Sequence, residues 1–431
     1  MTSDAHKIIS TTGRLQYVSK QTQEATTGIL LLITLQASAS HFVNTSINTF
    51  VTRIDKILTH NNELSSVLCP FNLHLGLSIL HQGAKDETAK DMSTLLGLEG
   101  EKQEIAASYK ALLNQLTGEA FKTWTCMIPG ENFNLSPRFV ETSYKFFKAG
   151  SAGTSQLIGS ADDDVTLKYC NNIGSRPKTT KLQLFSKAGF NSSWKKSFLP
   201  AEEEEFLLTS GEKVKVKMMH TKGYFAYKED KNLDAKVVKI DYKEEGWSMV
   251  VVLPNNYKKG LTILQDKITE WPLANLLKYL NEMKMEVYIP KFNANAFNFH
   301  RDVKFLDKMG AKALFTSEAD FSDVSIGSKM HLSHVLIEAF IAVNETGTLA
   351  GSGADFLAGG GDEIIYKTKN HQTNPTKPKP TNHTSANPEV DGLPQSNPSF
   401  KADHPFLFYI VGPGNVFLYN GKIVNPVSHK E

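Results

Sequence analysis

The stretch Val343-Asn344-Glu345-Thr346-Gly347-Thr348-Leu349-Ala350-Gly351-Ser352-Gly353-Ala354, with its continuation at Phe400-Lys401-Ala402-Asp403-His404-Pro405-Phe406-Leu407-Phe408, decides how this chain folds. Leu332 to Val343 and Phe406 to Val411 are apolar runs of strand type, rich in aliphatic and aromatic residues. Between them the composition shifts sharply. Gly351 to Gly361 is small and glycine-rich, and Tyr366 to Pro398 carries Pro375, Pro378, Pro380, Pro388, Pro394 and Pro398 among Lys, Asn and Thr. The proline-rich part buries too little apolar surface to order itself. A long segment of this kind between two strong strands marks a functional loop or disorder within a compact domain.

Outward from this point, the flanking chain supplies the core. Val43, Ile47, Phe50, Ile54 and Ile57 recur at steps of four and three and predict a helix. Pro70 opens a second helix that Gly83 ends, and a third runs from about Asp86 to Leu96 with Gly97 as its stop. Later segments read as strands: Val214 to Met218, Ser248 to Leu253, and Met283 to Ile289 before Pro290. Phe406 to Val411, the turn Gly412-Pro413-Gly414-Asn415 and Val416 to Tyr419 read as a closing hairpin. Helices first and strands later predict an α+β fold on antiparallel sheets.

Composition narrows the function. The 431 residues, 40% hydrophobic, can fill a large core, and the net charge of +2 lacks the basic field a nucleic-acid binder needs. Cys69, Cys126 and Cys170 show no metal-ligand spacing and read as small buried side chains, with one pair able to form in an oxidising compartment. No metal or other cofactor is implied. Gly28 to Leu35 is an apolar run too short to span a bilayer, and Ala37-Ser38-Ala39 follows it in the form of a signal-peptidase site. Residues 1–46 are therefore read as an extension with a signal peptide, which makes the protein secreted; a cytoplasmic chain with a plain extension is the alternative. Glycosylation triplets begin at Asn44, Asn134, Asn191, Asn344 and Asn382.

The motifs Val343 to Thr348 and Phe400 to Phe408 resemble the hinge and carboxy-terminal signature of the serpins, the serine protease inhibitor superfamily. Similar blocks run along the chain: Cys69-Pro70 through Gly83-Ala84, Trp194 to Phe198, Val216 to Met219, Pro290-Lys291-Phe292, Leu306 to Gly310, Ala319-Asp320-Phe321, and Asn420 to Pro426. The resemblance implies one domain over residues 47–431, with three β-sheets, about nine helices and an exposed reactive loop, extended here to about 348–399. It implies no enzyme but a monomeric, single-use substrate. A target serine protease cuts the loop and is held as a covalent acyl-enzyme while the loop inserts into the largest sheet.

Insertion needs side chains that fit a closed interior on alternate positions. Thr348, Ala350, Ser352, Ala354, Phe356 and Ala358 share one face, and all but Phe356 are small. Glu345, Gly347, Thr348, Ala350, Ser352 and Ala354 are the hinge residues that this reading needs. The family spacing from Glu345 places the scissile bond at Gly361-Asp362. The loop from Gly347 to Phe400 is about thirty residues longer than the family's, with most of the excess after Asp362. Cleavage as late as Lys377 leaves roughly 50 Å of slack, so basic residues of the insertion are not effective bait. A glycan on Asn344 would obstruct insertion, so Asn344 is expected unmodified.

Four positions depart from the family's sheet-opening cluster: Cys69 and Asn72 stand for serines, Ser186 for an asparagine and Ile337 for a histidine. The chain is also about a dozen residues short between Asn171 and Leu182. These changes favour the alternative of a non-inhibitory carrier, chaperone or storage protein, which the small hinge residues oppose. No GxSxG, HExxH or nucleotide-binding fingerprint supports an enzyme, and Asp403 with His404 is read as structural.

Overall fold

The computed structural model describes residues 42–56, 64–130, 133–151, 180–269, 272–295, 306, 308–327, 329–359 and 398–427. Helix α1 (42–56) buries Val43, Ile47, Phe50 and Ile54, as their spacing requires, and starts ahead of the expected boundary at residue 47. Ile57 lies outside the described residues. Strand β1 (Ser66–Leu68) leads into α2 (Pro70–Gly83), α3 (Asp86–Leu96) and α4 (Lys102–Leu116). Pro70 stands in the first turn of α2, where its missing N–H leaves no bond unmade, and Gly97 closes α3 with φ 67°, a left-handed conformation that favours glycine.

The chain continues through β2 (Phe121–Pro129), α5 (Pro137–Phe147), β3 (Ala149–Ser151), β4 (Thr180–Ser193), β5 (Leu199–Leu207), β6 (Lys213–Asp230), β7 (Ala235–Asp241) and β8 (Ser248–Pro254). Then come α6 (Gly260–Thr269), β9 (Asn281–Pro290), β10 (Phe292–Asn295), β11 (His331–Val343), β12 (Gly347–Gly359), β13 (Ser399–Lys401), β14 (Phe406–Gly412) and β15 (Val416–Ile423). The mixed α+β class stands, with six α-helices among the described residues against about nine expected.

Hydrogen bonding among the described residues forms two sheets rather than three. One has the order β1-β15-β14-β8-β7-β6-β9-β13, with β5 also on β6; the other is six-stranded, β10-β11-β12-β4-β2-β3. The count falls by one because β6, 18 residues long, serves two groups of strands: its first part pairs with β5 and its last with β7. Helix α2 is buried along nearly its whole length and packs against β4 and β12 of one sheet and β15 of the other. An all-round apolar helix is stable only in such a place.

The larger correction concerns the loop. Its first part is not exposed: β12 lies inside the six-stranded sheet, antiparallel to β11 on one side and β4 on the other. The physical reason is the one that makes the segment able to insert at all. Thr348 and Ala350 are small enough to be buried, and the backbone completes a ladder on both edges.

Candidate functional site

The site is the turn from β11 into β12 and the groove that β12 fills. Asn344 makes the turn: its side-chain Oδ1 accepts from the amides of Thr346 (2.9 Å) and Gly347 (3.1 Å), and its own amide donates to the Gly347 carbonyl. Asparagine suits this role because its short side chain mimics a backbone turn. Gly347 is required by close approach, since a Cβ there would run into the carbonyl of Ser192 on β4.

Around the turn, three elements hold the chain in place. Trp194 is fully buried, donates its indole N–H to the Asn344 carbonyl (2.8 Å), and stacks on Tyr242 with ring centroids 4.5 Å apart. Tyr242 in turn donates to the Thr348 hydroxyl at 2.8 Å. Burial raises the Tyr242 phenol well above its ordinary value, so it stays a donor. Glu345 accepts from the Ala201 amide of β5 (3.3 Å) and pairs with Lys291 (3.0 Å). Partial burial opposes its charge, but hydrogen bonds from its own backbone, Lys291 and Ala201 outweigh that and hold the carboxyl below its usual range.

Deeper in the sheet, the four sheet-opening positions converge on one short part of β12. Asn72 of α2 donates to the Ser352 hydroxyl at 2.8 Å. Cys69, which precedes α2, also reaches Ser352, and burial pushes its thiol up to about 11, so it is a buried weak donor rather than a nucleophile. Ser186 and Ile337 flank Ala354 in the register, one on β4 and one on β11, and Ser186 bonds with Thr125 at 3.1 Å. Tyr419 of β15 bonds the Ala188 carbonyl of β4 (3.1 Å) and meets Ser352 as well. Ser352 is thus the node linking the strand to α2 and to the second sheet.

Other sequence expectations resolve individually. Gly361, Asp362, Lys377 and Asn382 lie outside the described residues. Asn44 is buried and its amide nitrogen donates to the Gly414 carbonyl (3.0 Å), so a glycan there is incompatible with this fold. Asn134, Asn191 and Asn344 are exposed. Of the cysteines, Cys69 is free and Cys126 is disulfide-bonded, which replaces the reading of three unpaired thiols by the one-pair alternative. His404 has both ring nitrogens occupied, by Asp403 (2.8 Å) and the Pro254 carbonyl (2.6 Å), and so is a structural tie between β8 and the start of β14. Among the described residues, no group of three or more His, Cys, Asp or Glu is placed to hold a metal, and no helix is long and apolar enough to cross a membrane.

Sequence reasoning missed Tyr242 and Lys291 as supports of the hinge. Tyr242 is separated from Thr348 by 106 positions and had no periodic or motif signal. Trp194 and Lys291 stood within blocks that carried the resemblance, but spacing alone did not say that they face the turn.

Comparison with known proteins points in one direction. The family model described as Serpin (serine protease inhibitor) matches residues 45–426. Serine protease inhibitor 42Dd of Drosophila melanogaster is 28% identical over 393 residues, covering 85% of this chain and 93% of the relative. The leukocyte elastase inhibitor of Bos taurus is 24% identical, covering 86% and 97%. A solved structure titled Cleaved Serpin 42Da superposes with a TM-score of 0.70 at 22% identity, covering 91% of this chain and 99% of that one.

Proposed function

The chain belongs to the serpin family, and from that premise we propose that it inhibits a serine protease as a suicide substrate, acting outside the cell as a monomer. Its relatives include named protease inhibitors. The observation that carries the reading is the seating of β12: from Thr348 to Ala358 every residue is paired with β11 on one edge and with β4 on the other. Secretion belongs to the same proposal and is supported by the disulfide at Cys126, since such bonds persist in oxidising compartments.

The chemistry starts with β12 outside the sheet. The protease serine hydroxyl adds to the Gly361 carbonyl carbon, the bond to the Asp362 nitrogen breaks, and that nitrogen leaves as an amine carrying the proton. Gly361 is then an ester of the protease. Water would cleave that ester, unless insertion is faster. Thirteen residues enter the sheet, which carries the tethered protease about 43 Å at roughly 3.3 Å per residue. Each new ladder bond contributes about 0.5–1.5 kcal/mol net, against about 0.5–1 kcal/mol lost at each glycine.

The test is to incubate the purified protein with a panel of serine proteases that includes enzymes preferring small or acidic residues. An SDS-stable covalent band whose loop fragment ends at or next to Gly361 is expected, and Thr348→Arg should convert the protein into a plain substrate by placing a charge at a buried position. Digestion without a band across the panel, with no gain in melting temperature on cleavage, selects the non-inhibitory reading, which the substitutions at Cys69, Asn72, Ser186 and Ile337 favour.

A further inference from the structure

Away from the turn of β11 and β12, the end of α2 meets the first turns of α4 and α5 around a cavity of about 320 Å³. Gln82, Lys102, Ser136, Arg138, Phe139 and Phe146 are among the residues that line it. The volume is that of a site for a compact small molecule.

Positive charge dominates this cavity. Lys102 donates to the Ala84 carbonyl and, at 3.3 Å, to the Gln82 carbonyl, both at the end of α2. An ammonium has three donors, so one remains. Among the described residues neither Lys102 nor Arg138 pairs with a carboxylate. Burial lowers the Lys102 ammonium below its ordinary value, more than nearby Asp323 raises it, and Lys85 and Arg138 lower it further. The two carboxylates on the lining have other duties. Asp323 pairs with Lys85 at 2.9 Å, and Glu141 stands one helical turn before Lys145, where the two charges offset each other.

Neutral donors face the same space. Ser136 precedes α5 but its side chain makes no cap bond, and Pro137 has no N–H, so the amides of Arg138 and Phe139 need an acceptor from outside the helix. The side-chain nitrogen of Gln82 is buried and has no hydrogen-bond partner. A donor left in that state costs free energy. Phe139 and Phe146 supply apolar wall, and the Lys145 ammonium stands 5.3 Å from the centre of the Phe146 ring.

We propose that this cavity binds a phosphate monoester carried on a compact, partly apolar body. Arg138, Lys102, the Gln82 amide and the first amides of α5 take the phosphate, and the body lies against Phe139 and Phe146. The surplus of donors selects phosphate over carboxylate, because a phosphate monoester presents three acceptor oxygens and close to two negative charges. The ligand would tie three helices together at one end of α2. The other end carries Asn72, which bonds Ser352, about 15 Å from Gln82 at about 1.5 Å per residue. The site is separate from the hinge and does not depend on a protease being trapped.

The test titrates purified full-length protein with phenyl phosphate in a calorimeter at neutral pH, and reads amide exchange in α5. One saturable site per chain is expected, with exchange slowed in the first turn of α5. Arg138 is exposed, so Arg138→Gln leaves the fold intact and should weaken binding about tenfold or more, as the loss of a charged hydrogen bond implies. Lys284→Gln removes an exposed charge on β9 and should leave the affinity unchanged. Benzoate, with fewer acceptor oxygens, and inorganic phosphate, without the apolar body, should each bind more weakly than phenyl phosphate. No saturable binding, equal weakening by the two substitutions, or benzoate as tight as phenyl phosphate overturns the proposal. Inorganic phosphate binding as tightly as phenyl phosphate would make the site one for an adventitious ion only, and overturns it as well.

Discussion

Strands β12 and β14 both lie in the interior of a sheet with partners on both sides, yet they are held by different means. β14 reads Phe-Leu-Phe-Tyr-Ile-Val-Gly, is buried at every position, and pairs with β8 and β15 while Phe408 packs its ring 5.3 Å from that of Phe292. β12 reads Gly-Thr-Leu-Ala-Gly-Ser-Gly-Ala-Asp-Phe-Leu-Ala-Gly and relies mainly on backbone ladders and a few hydroxyl contacts. Apolar bulk commits β14 to one place, because removing it would expose large side chains to water. A strand in which eight of thirteen residues are glycine, alanine or serine carries less of this commitment. Two environments suit it, and that is the physical basis of a strand that can enter late.

The largest expected effect tests the committed side. Phe408→Ala should cost about 3–5 kcal/mol in guanidinium denaturation, equally in uncut and loop-cut protein, because its cavity opens in a part present in both. A loss that depended on cutting would break the contrast.

Acid should act on the committed part as well. His74 in α2 is fully buried, and burial lowers its pKa from 6.5 to about 4, so the fold requires the neutral ring. The unfolded chain takes up a proton through pH 6.5 and the native one only near 4. Stability is therefore fully present above about pH 6.5 and falls on the way down to about 4, by on the order of 3 kcal/mol. His81, lowered to about 4 by burial and by Lys102, adds a loss of the same sign. Denaturation midpoints measured against pH should fall in parallel for cut and uncut protein.

Gly347→Ala probes the mobile side. Its methyl group meets the Ser192 carbonyl only when β12 is seated, so about 1–3 kcal/mol should be lost from the stability gained on cutting, with little change in an exposed-loop form. Equal losses in both forms would remove the distinction. The smallest effect is the Asn72–Ser352 hydrogen bond: a double-mutant cycle to Ala should show coupling of about 0.5–1.5 kcal/mol in the inserted form and none with β12 outside.

Much of the committed fold was legible in the sequence. The stripe Val43, Ile47, Phe50 and Ile54, the pair Pro70 and Gly83, and Gly97 after Leu96 mark α1, α2 and α3 because helical period and end chemistry are local properties. The hairpin of β14 and β15 was legible for the same reason, its apolar runs being separated by Gly412-Pro413-Gly414-Asn415. The merging of two expected sheets along β6 was not legible, since it depends on which partners each half of one long strand finds.

At the functional site the division is sharper. Small alternating residues from Thr348 to Ala354 determine by themselves that this segment is able to join a sheet, because side-chain volume is written in the residue type. Whether it stands outside or within was decided by the tertiary structure, where β4 and β11 leave a strand-wide gap and Trp194, Tyr242 and Asn72 supply partners from distant parts of the chain. Those contacts cross as many as 280 positions, and no local pattern encodes them.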